Sequence, residues 1–270
     1  MKPNSSLMKK VFILLFLCSA VACSVTKTNK INFADNVVVA HRGAFKQNNL
    51  PENSIASLQE AIRLGCTGSE FDVWMTADDS LVIHHDSGYN NLVIEKTSFA
   101  ALRKTPLSNA ELLPSLREYL ISGKKNNKKT RLVLEIKPSR ISKERGKLVA
   151  DKVIQLVHDL NCAPMMVYIS FDYEILKRIH EIEPKAVTQY LNGDMAPAVL
   201  KNDGINGADY HFSVFKKNPA WITEAKNNNI QLNAWTVNDS TGMRWLLDSG
   251  FNFITTNEPE MLLKILKDKK

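Results

Sequence analysis

The chain reads as an α/β protein, a closed (β/α)8 barrel with a short hairpin inserted after its second strand. Three observations predict this. Nine strand-like runs recur with helical patterns between most of them, and strands separated by helices pair in parallel through crossovers. The first run, Val37-Val38-Val39-Ala40, is wholly apolar and mostly β-branched, as a strand covered on both faces should be. His41-Arg42-Gly43-Ala44 then follows in place of a glycine-rich phosphate turn, which weighs against the alternative of a doubly wound open sheet.

Taken in order, the elements fit that plan. After the loop through Pro51, Asn53 is placed to cap a helix whose Ile55, Leu58 and Ile62 share one face and which Gly65 ends. Glu70-Phe71-Asp72-Val73-Trp74 reads as the second strand, with Glu70 and Asp72 projecting from one side. The turn Ala77-Asp78-Asp79-Ser80 leads into Leu81-Val82-Ile83, a return arm expected to set His85 across from Asp72. This arm is the ninth run, so eight remain for a barrel. Ser115-Leu116-Arg117-Glu118 has capping-box spacing, and Arg131 to Lys137 reads as a strand. A long helix follows from Ser142 to Leu160, with Val149, Val153, Leu156, Val157 and Leu160 on one stripe. Strands are expected at Met166 to Phe171, Ala186 to Leu191, Ala208 to Val214, Gln231 to Val237 and Phe251 to Thr255. Between them lie helices around Ile175 to Ile179, at Pro197 to Lys201, after an Asn218 cap with Pro219 first, and at Asp239 to Ser249, with Pro259 to Lys267 closing the chain.

The N-terminus stands apart. Lys2, Lys9 and Lys10 precede an apolar run from Val11 to Leu17 and the small residues Ser19-Ala20-Val21-Ala22, the pattern of an export signal over residues 1–22. The run is too short for a permanent membrane span. Ala20-Val21-Ala22 suits an ordinary cleavage site, while Cys23 followed by Ser24 resembles a bacterial lipoprotein signal, and the expectation is lipidation at Cys23 with residues 23–36 as a tether. The chain would then sit outside the cytoplasm, on a membrane, through its lipid anchor. Loss of the three leader lysines lowers the net charge from +7 to +4. The remaining lysines lie scattered or in loops without interleaved aromatics, which argues against nucleic-acid binding. Cys66 and Cys162 could form one disulfide, and no cysteine spacing suggests zinc.

In an eight-stranded α/β barrel the site lies at the C-terminal strand ends, and the polar residues fall there. His41 and Arg42 end the first strand, Glu70 and Asp72 lie on the second, His85 and Asp86 end its hairpin partner, and Glu135 with Lys137 lies on the next. Two acids on one face beside a histidine can hold a divalent cation with a proton carrier next to it, and burying such charges with neither ion nor partner is costly.

These residues belong to longer blocks. His41-Arg42-Gly43, Pro51-Glu52-Asn53-Ser54, Glu70-Phe71-Asp72-Val73, His85-Asp86, Leu134-Glu135-Ile136-Lys137-Pro138 and Ala234-Trp235-Thr236-Val237-Asn238 follow in order, and with them the chain from Val37 to Pro259 resembles the glycerophosphodiester phosphodiesterases. The resemblance implies a TIM-like barrel and hydrolysis of glycerophosphodiesters to glycerol 3-phosphate and an alcohol. It implies one calcium- or magnesium-type ion on Glu70, Asp72 and Glu135, with His41 and His85 as acid and base. Arg42 and Lys137 would contact phosphoryl oxygens, Glu52 would orient His41 or Arg42, and Trp235 would wall the glycerol carbons. Ser87-Gly88-Tyr89-Asn90 departs from the family's usual run after His-Asp, which leaves the headgroup open. Thr256-Asn257-Glu258-Pro259 replaces a Thr-Asp-x-Pro pattern, with Asn257 expected as the cap of the last helix. The runner-up readings are a phospholipase-type enzyme acting on intact lipid or lysolipid, and a non-catalytic phospho-ligand-binding lipoprotein.

Overall fold

The computed structural model describes residues 31–269. The expected signal peptide, Cys23 and the tether up to residue 30 lie outside them. Eleven strands form: β1 (Val38–Ala40), β2 (Gly68–Met75), β3 (Leu81–Ile83), β4 (Gly88–Tyr89), β5 (Leu92–Val93), β6 (Arg131–Ile136), β7 (Met166–Ser170), β8 (Thr188–Tyr190), β9 (Gly207–His211), β10 (Gln231–Trp235) and β11 (Phe253–Thr256). β1, β2 and β6 to β11 pair in parallel and close on one another through β1 and β2, making the expected eight-stranded barrel of the TIM type. β2 is the longest strand. Its first half pairs with β1 and β6, and its second half extends upward to pair with the antiparallel arm β3. Val73 lies opposite Ile83, and His84 N–H donates to the Asp72 carbonyl. His84, rather than His85, therefore faces Asp72, and His85 lies one residue beyond the ladder.

The helices are α1 (Ile55–Leu64), α2 (Phe99–Leu102), α3 (Leu116–Lys124), α4 (Lys143–Asp159), α5 (Tyr173–Ile182), α6 (Pro197–Asn202), α7 (Phe212–Lys217), α8 (Ala220–Asn227), α9 (Ser240–Asp248) and α10 (Pro259–Asp268). The caps explain most boundaries. Ser115 and Glu118 form the reciprocal capping box of α3, and Gly65 ends α1 in the left-handed conformation at φ 74°. Three asparagines expected as caps do other work. Ser54 caps α1 instead of Asn53, Pro219 stands at the α8 cap while Asn218 Nδ2 donates back to Val214 O, and α10 starts from Glu258 without a side-chain cap. β9 also ends at His211, because Phe212 already begins α7.

Strand alternation divides the core. Outward residues such as Val38, Phe71, Leu134, Leu232 and Ile254 pack against helix residues including Leu58, Val153, Leu176 and Leu246, and each such fully buried side chain stabilises the fold by about 1.5–3 kcal/mol. Inward residues Val39, Val133, Val167, Ile169, Leu191 and Phe253 fill the barrel. The segment between β3 and α3 carries its own small core of Trp74, Val82, Tyr89, Ile94, Leu102 and Leu113. Residues 31–36 lie along the N-terminal mouth: Phe33 stacks on the Arg131 guanidinium at 4.0 Å, and Ala34 N–H donates to Lys129 O. Cys66 and Cys162 are free, buried thiols. No helix among the described residues is long and apolar enough to cross a membrane.

Candidate active site

The turn after β1 carries the first two site residues and is held from both sides. His41 N–H donates to Thr256 O, extending the β1–β11 ladder by one step. Gly43 at φ 81° then lies against α1 so closely that a Cβ there would sit 2.4 Å from Ser57 Oγ, so only glycine fits. Arg42 is left-handed at φ 54°, a conformation disfavoured for a non-glycine residue. Three hydrogen bonds offset that cost. Its N–H donates to Glu70 Oε2 at 2.8 Å, and its carbonyl accepts from Asn53 N–H at 2.9 Å and Ser57 Oγ at 3.1 Å.

The three acids come together as expected. One oxygen each of Glu70, Asp72 and Glu135 lies within 4.8 Å of the others, and all three residues are buried. Adjacent register places them, since Asp72 on β2 faces Glu135 on β6. Lys137 Nζ bridges two of them, 2.7 Å from Asp72 Oδ1 and 2.8 Å from Glu135 Oε1. Asn53, the displaced cap, donates from Nδ2 to Asp72 Oδ2 at 2.7 Å and accepts Asp72 N–H at 3.1 Å. Burial works against the Asp72 carboxylate, but Lys137 first, then His85 and Asn53, outweigh it and hold its pKa below the usual range. Glu70 has less help, from the Arg42 N–H and the Lys137 charge, and it does not suffice. Burial, then Asp72 and Glu135, push its pKa well up, and its Oε1 is buried without a hydrogen-bond partner. Glu135 is pushed up to about 8 by burial and Asp72, against the pull of Lys137.

Three buried carboxyl groups share one ammonium, more acidic oxygens than that single charge can neutralise in their ionised forms. Arg42 relieves little of this imbalance, because its Nη1 donates to both Glu52 oxygens, at 2.9 and 3.0 Å, and its Nε stays 4.0 Å from Asp72. Oxygen donors, buried and short of partners, suit a hard divalent cation, so the donor set fits a metal ion.

The imidazoles lie on either side. His41 Nε2 is 3.9 Å from Glu70 Oε2, and its Nδ1 is 2.7 Å from Asn257 Oδ1. Asn257 is itself fixed by its N–H donating to Asn238 Oδ1 at 2.8 Å. Burial above all, then Arg42, lowers the His41 pKa to about 4. His85 Nδ1 lies 2.8 Å from Asp86 Oδ1, and its carbonyl accepts from Trp74 Nε1 at 3.1 Å. Both histidines, Arg42, Glu70, Glu135 and Lys137 line one cavity of about 120 Å³ at the C-terminal mouth. Its far wall is Ile169, Phe171, Leu191 and Trp235, with Asp209 buried among them. Trp235 meets Phe171 edge-on at 5.5 Å and donates from Nε1 to Asp209 O at 2.9 Å.

All the expected barrel residues thus reach one mouth: Glu52 does so through Arg42, while Cys23 lies outside the described residues. Asn53, Asn257 and Asp209 were not foreseen as site residues. Asn53 sits in a recognised block and Asn257 in a departure from the family pattern, and both pass for caps on local pattern alone. Asp209 could have been found as the single acid in an otherwise uncharged strand.

A barrel that gathers three carboxyl groups, two imidazoles and two cationic side chains at its C-terminal mouth belongs to the α/β-barrel proteins with an acidic centre compatible with a metal ion. Residues 41–261 match the glycerophosphoryl diester phosphodiesterase family. A glycerophosphodiester phosphodiesterase structure from Parabacteroides distasonis superposes with a TM-score of 0.84 at 37% identity, covering 88% of this chain and 99% of that one. The glycerophosphodiester phosphodiesterase of Caldanaerobacter subterraneus subsp. tengcongensis is 26% identical over 248 residues, 86% of this chain and 98% of its own. An Oleispira antarctica phosphodiesterase, solved in complex with the product sn-glycerol-3-phosphate, shares the fold at a TM-score of 0.74 and 21% identity over 86% of this chain and 97% of that one. The chain belongs to the glycerophosphoryl diester phosphodiesterase family.

Proposed function

We propose that this protein is an exported, lipid-anchored phosphodiesterase that hydrolyses glycerophosphodiesters to glycerol 3-phosphate and an alcohol with the help of one divalent cation. Family membership supports the reaction, and the buried triad Glu70, Asp72 and Glu135, one oxygen of each within 4.8 Å of the others, is the observation that carries the mechanism. Those three residues would hold calcium or magnesium. A cation so held supplies electrostatic stabilisation of the charge that grows on the phosphoryl group.

The remaining work falls to the chain itself. Arg42, anchored at Nη1 by Glu52, and Lys137 present cationic donors to phosphoryl oxygens. Burial keeps His41 neutral, and Asn257 occupies its Nδ1, so Nε2 is the free nitrogen that takes the proton of the attacking hydroxyl. That hydroxyl belongs either to water or to the glycerol 2-position, and in the second case water opens the resulting cyclic phosphate in a further step to give glycerol 3-phosphate. As the attacking oxygen bonds to phosphorus, the bond from phosphorus to the alcohol oxygen breaks, and protonated His85, braced by Asp86 at Nδ1, gives the proton that the alkoxide needs. Trp235 and its neighbours wall the glycerol carbons.

Lipidation at Cys23 would place the protein on the outer side of a membrane. The chain meets the barrel at the N-terminal mouth through Phe33 and Ala34, which leaves the mouth bearing the site unobstructed by that segment.

The test is product analysis of the purified protein on glycerophosphocholine, glycerophosphoethanolamine, glycerophosphoglycerol and lysophosphatidylcholine. Glycerol 3-phosphate from the deacylated diesters is the expected product, and turnover of the lysolipid alone would overturn the assignment. His85→Ala should remove turnover while calorimetry still registers cation binding; unaltered turnover would take His85 out of the mechanism.

A further inference from the structure

The chemistry above uses one side of the cavity and leaves a buried acid on the other side without a role. Asp209 lies on β9, which stands opposite β2 in the ring of eight strands. Alternation along Gly207–His211 sends Ala208 and Tyr210 outward into the helix-facing core and Asp209 inward, where it lines the cavity. It is 1% exposed, and its Oδ1 has no hydrogen-bond partner.

The groups around Asp209 satisfy its carboxyl group only in part. Trp235 donates to its backbone carbonyl, not to its carboxyl group. Asn233, its register partner on β10, reaches the carboxyl group with a side-chain hydrogen bond, while also directing Nδ2 to Gln189 at 3.4 Å and accepting Thr255 Oγ1 at 3.2 Å, so Oδ1 is left without a partner. Inward residues elsewhere on this wall, Ile169 and Leu191, are apolar, and a leucine at 209 would pack there without leaving a polar atom unpaired. A buried acceptor that is orphaned in the free protein and opens onto a cavity is matched to a donor that arrives with a ligand. Burial and the nearby Glu135 favour its neutral form, and either form accepts a hydroxyl proton.

We propose that Asp209 is a specificity-determining residue that accepts a hydrogen bond from a hydroxyl of the substrate's polyol half. It holds that half across the cavity from Glu70, Asp72 and Glu135. The inference rests on the glycerophosphodiester reading and adds a selection rule: phosphates of polyols are favoured over phosphates of simple alcohols. Ile169, Leu191 and Trp235 enclose the carbon skeleton, and Asp209 is the acceptor on that wall that tells a hydroxyl-bearing chain from a bare one. A site built to hydrogen-bond a hydroxyl discriminates against the analogue lacking it, because the site's own polar atom is then left unpaired.

The experiment is calorimetric titration of the cation-loaded protein with sn-glycerol 3-phosphate, n-propyl phosphate and inorganic phosphate. In the wild type, glycerol 3-phosphate should bind about 10- to 100-fold more tightly than propyl phosphate, the range for one hydrogen bond to such a group. Asp209→Leu should bring the two to within about two-fold while inorganic phosphate shifts by less than about two-fold. Asp209→Asn, which keeps an acceptor oxygen, should retain most of the preference. Equal binding of glycerol 3-phosphate and propyl phosphate by the wild type would overturn the proposal even if the leucine variant failed to fold, as would equal weakening of all three ligands in that variant. A wild type that shows the binding preference but turns over no diester would sink the hydrolase reading and leave this one standing. Turnover with an unchanged preference in Asp209→Leu would sink this one alone.

Discussion

The two walls of the cavity are made the same way and hold opposite contents. β2 carries Glu70 and Asp72 and β6 carries Glu135, with His41 and Arg42 just beyond β1 and Lys137 just beyond β6. On β7, β8 and β10 the corresponding wall carries Ile169, Leu191 and Trp235. One arc works against the fold: like charges are buried together, and Glu70 Oε1 has no partner. The other arc stabilises the fold by filling the barrel. The difference teaches that destabilising chemistry is affordable here because it occupies fewer than half the strands of a ring whose remaining strands pack normally.

Substitutions should break the comparison in opposite directions. Glu70→Gln removes one buried carboxyl group from the crowded arc. Turnover should fall about 10³- to 10⁴-fold, because several kcal/mol of charge stabilisation goes with the carboxylate. The metal-free protein should nevertheless melt at a higher temperature, since an amide sits beside Asp72 and Glu135 without the proton uptake that the raised Glu70 requires. A variant that loses activity and stability together would show the triad to be structural.

The pH dependence sharpens the same point. Glu135 has a folded-state pKa raised to about 8 from 4.5, so its contribution is present at low pH and is lost as pH rises toward 8. His41, lowered from 6.5 to about 4, acts oppositely, adding stability as pH rises from 4 to 6.5 and nothing further above that. The two overlap below pH 6.5, so the clear window is pH 6.5 to 8. There the metal-free protein should lose about 2 kcal/mol from Glu135 alone, with the raised Glu70 adding to it. Saturating divalent cation should abolish the decline, because bound carboxylates no longer compete for protons. Melting curves at pH 6.5 and 8, with and without cation, read this directly, and a metal-free protein equally stable at both would refute it.

The smallest effect belongs to the apolar arc. Trp235→Ala should raise KM for a glycerophosphodiester about ten-fold with kcat nearly unchanged, since it removes packing shared by ground and transition states. A fall in kcat without a change in KM would move Trp235 into the chemistry.

Much of this was legible from residues alone, and the failures have a common form. Periodicity located all eight barrel strands and the return arm, because alternation and β-branched runs are local properties. The charged arc was visible because acids on alternate positions of an apolar strand are conspicuous. What local pattern missed were residues whose partners are remote in sequence. Asn53 and Asn257 stand just before helices, as caps do, yet their side chains go to Asp72 and His41, 19 and 216 positions away. The hairpin register slipped by one, setting His84 and not His85 against Asp72, because turn residues suggest a reversal without fixing the pairing. Asp209 gains meaning only from standing across the closed ring from Glu70, and ring closure is not written in any short stretch.

The most direct measurement is turnover of glycerophosphocholine by protein stripped with a chelator, before and after adding calcium or magnesium, scored as glycerol 3-phosphate released. Loss of turnover on stripping and its return with one of the two ions is the predicted result. Full turnover by the stripped protein, or product release that Glu70→Gln and Glu135→Gln leave intact, would contradict it.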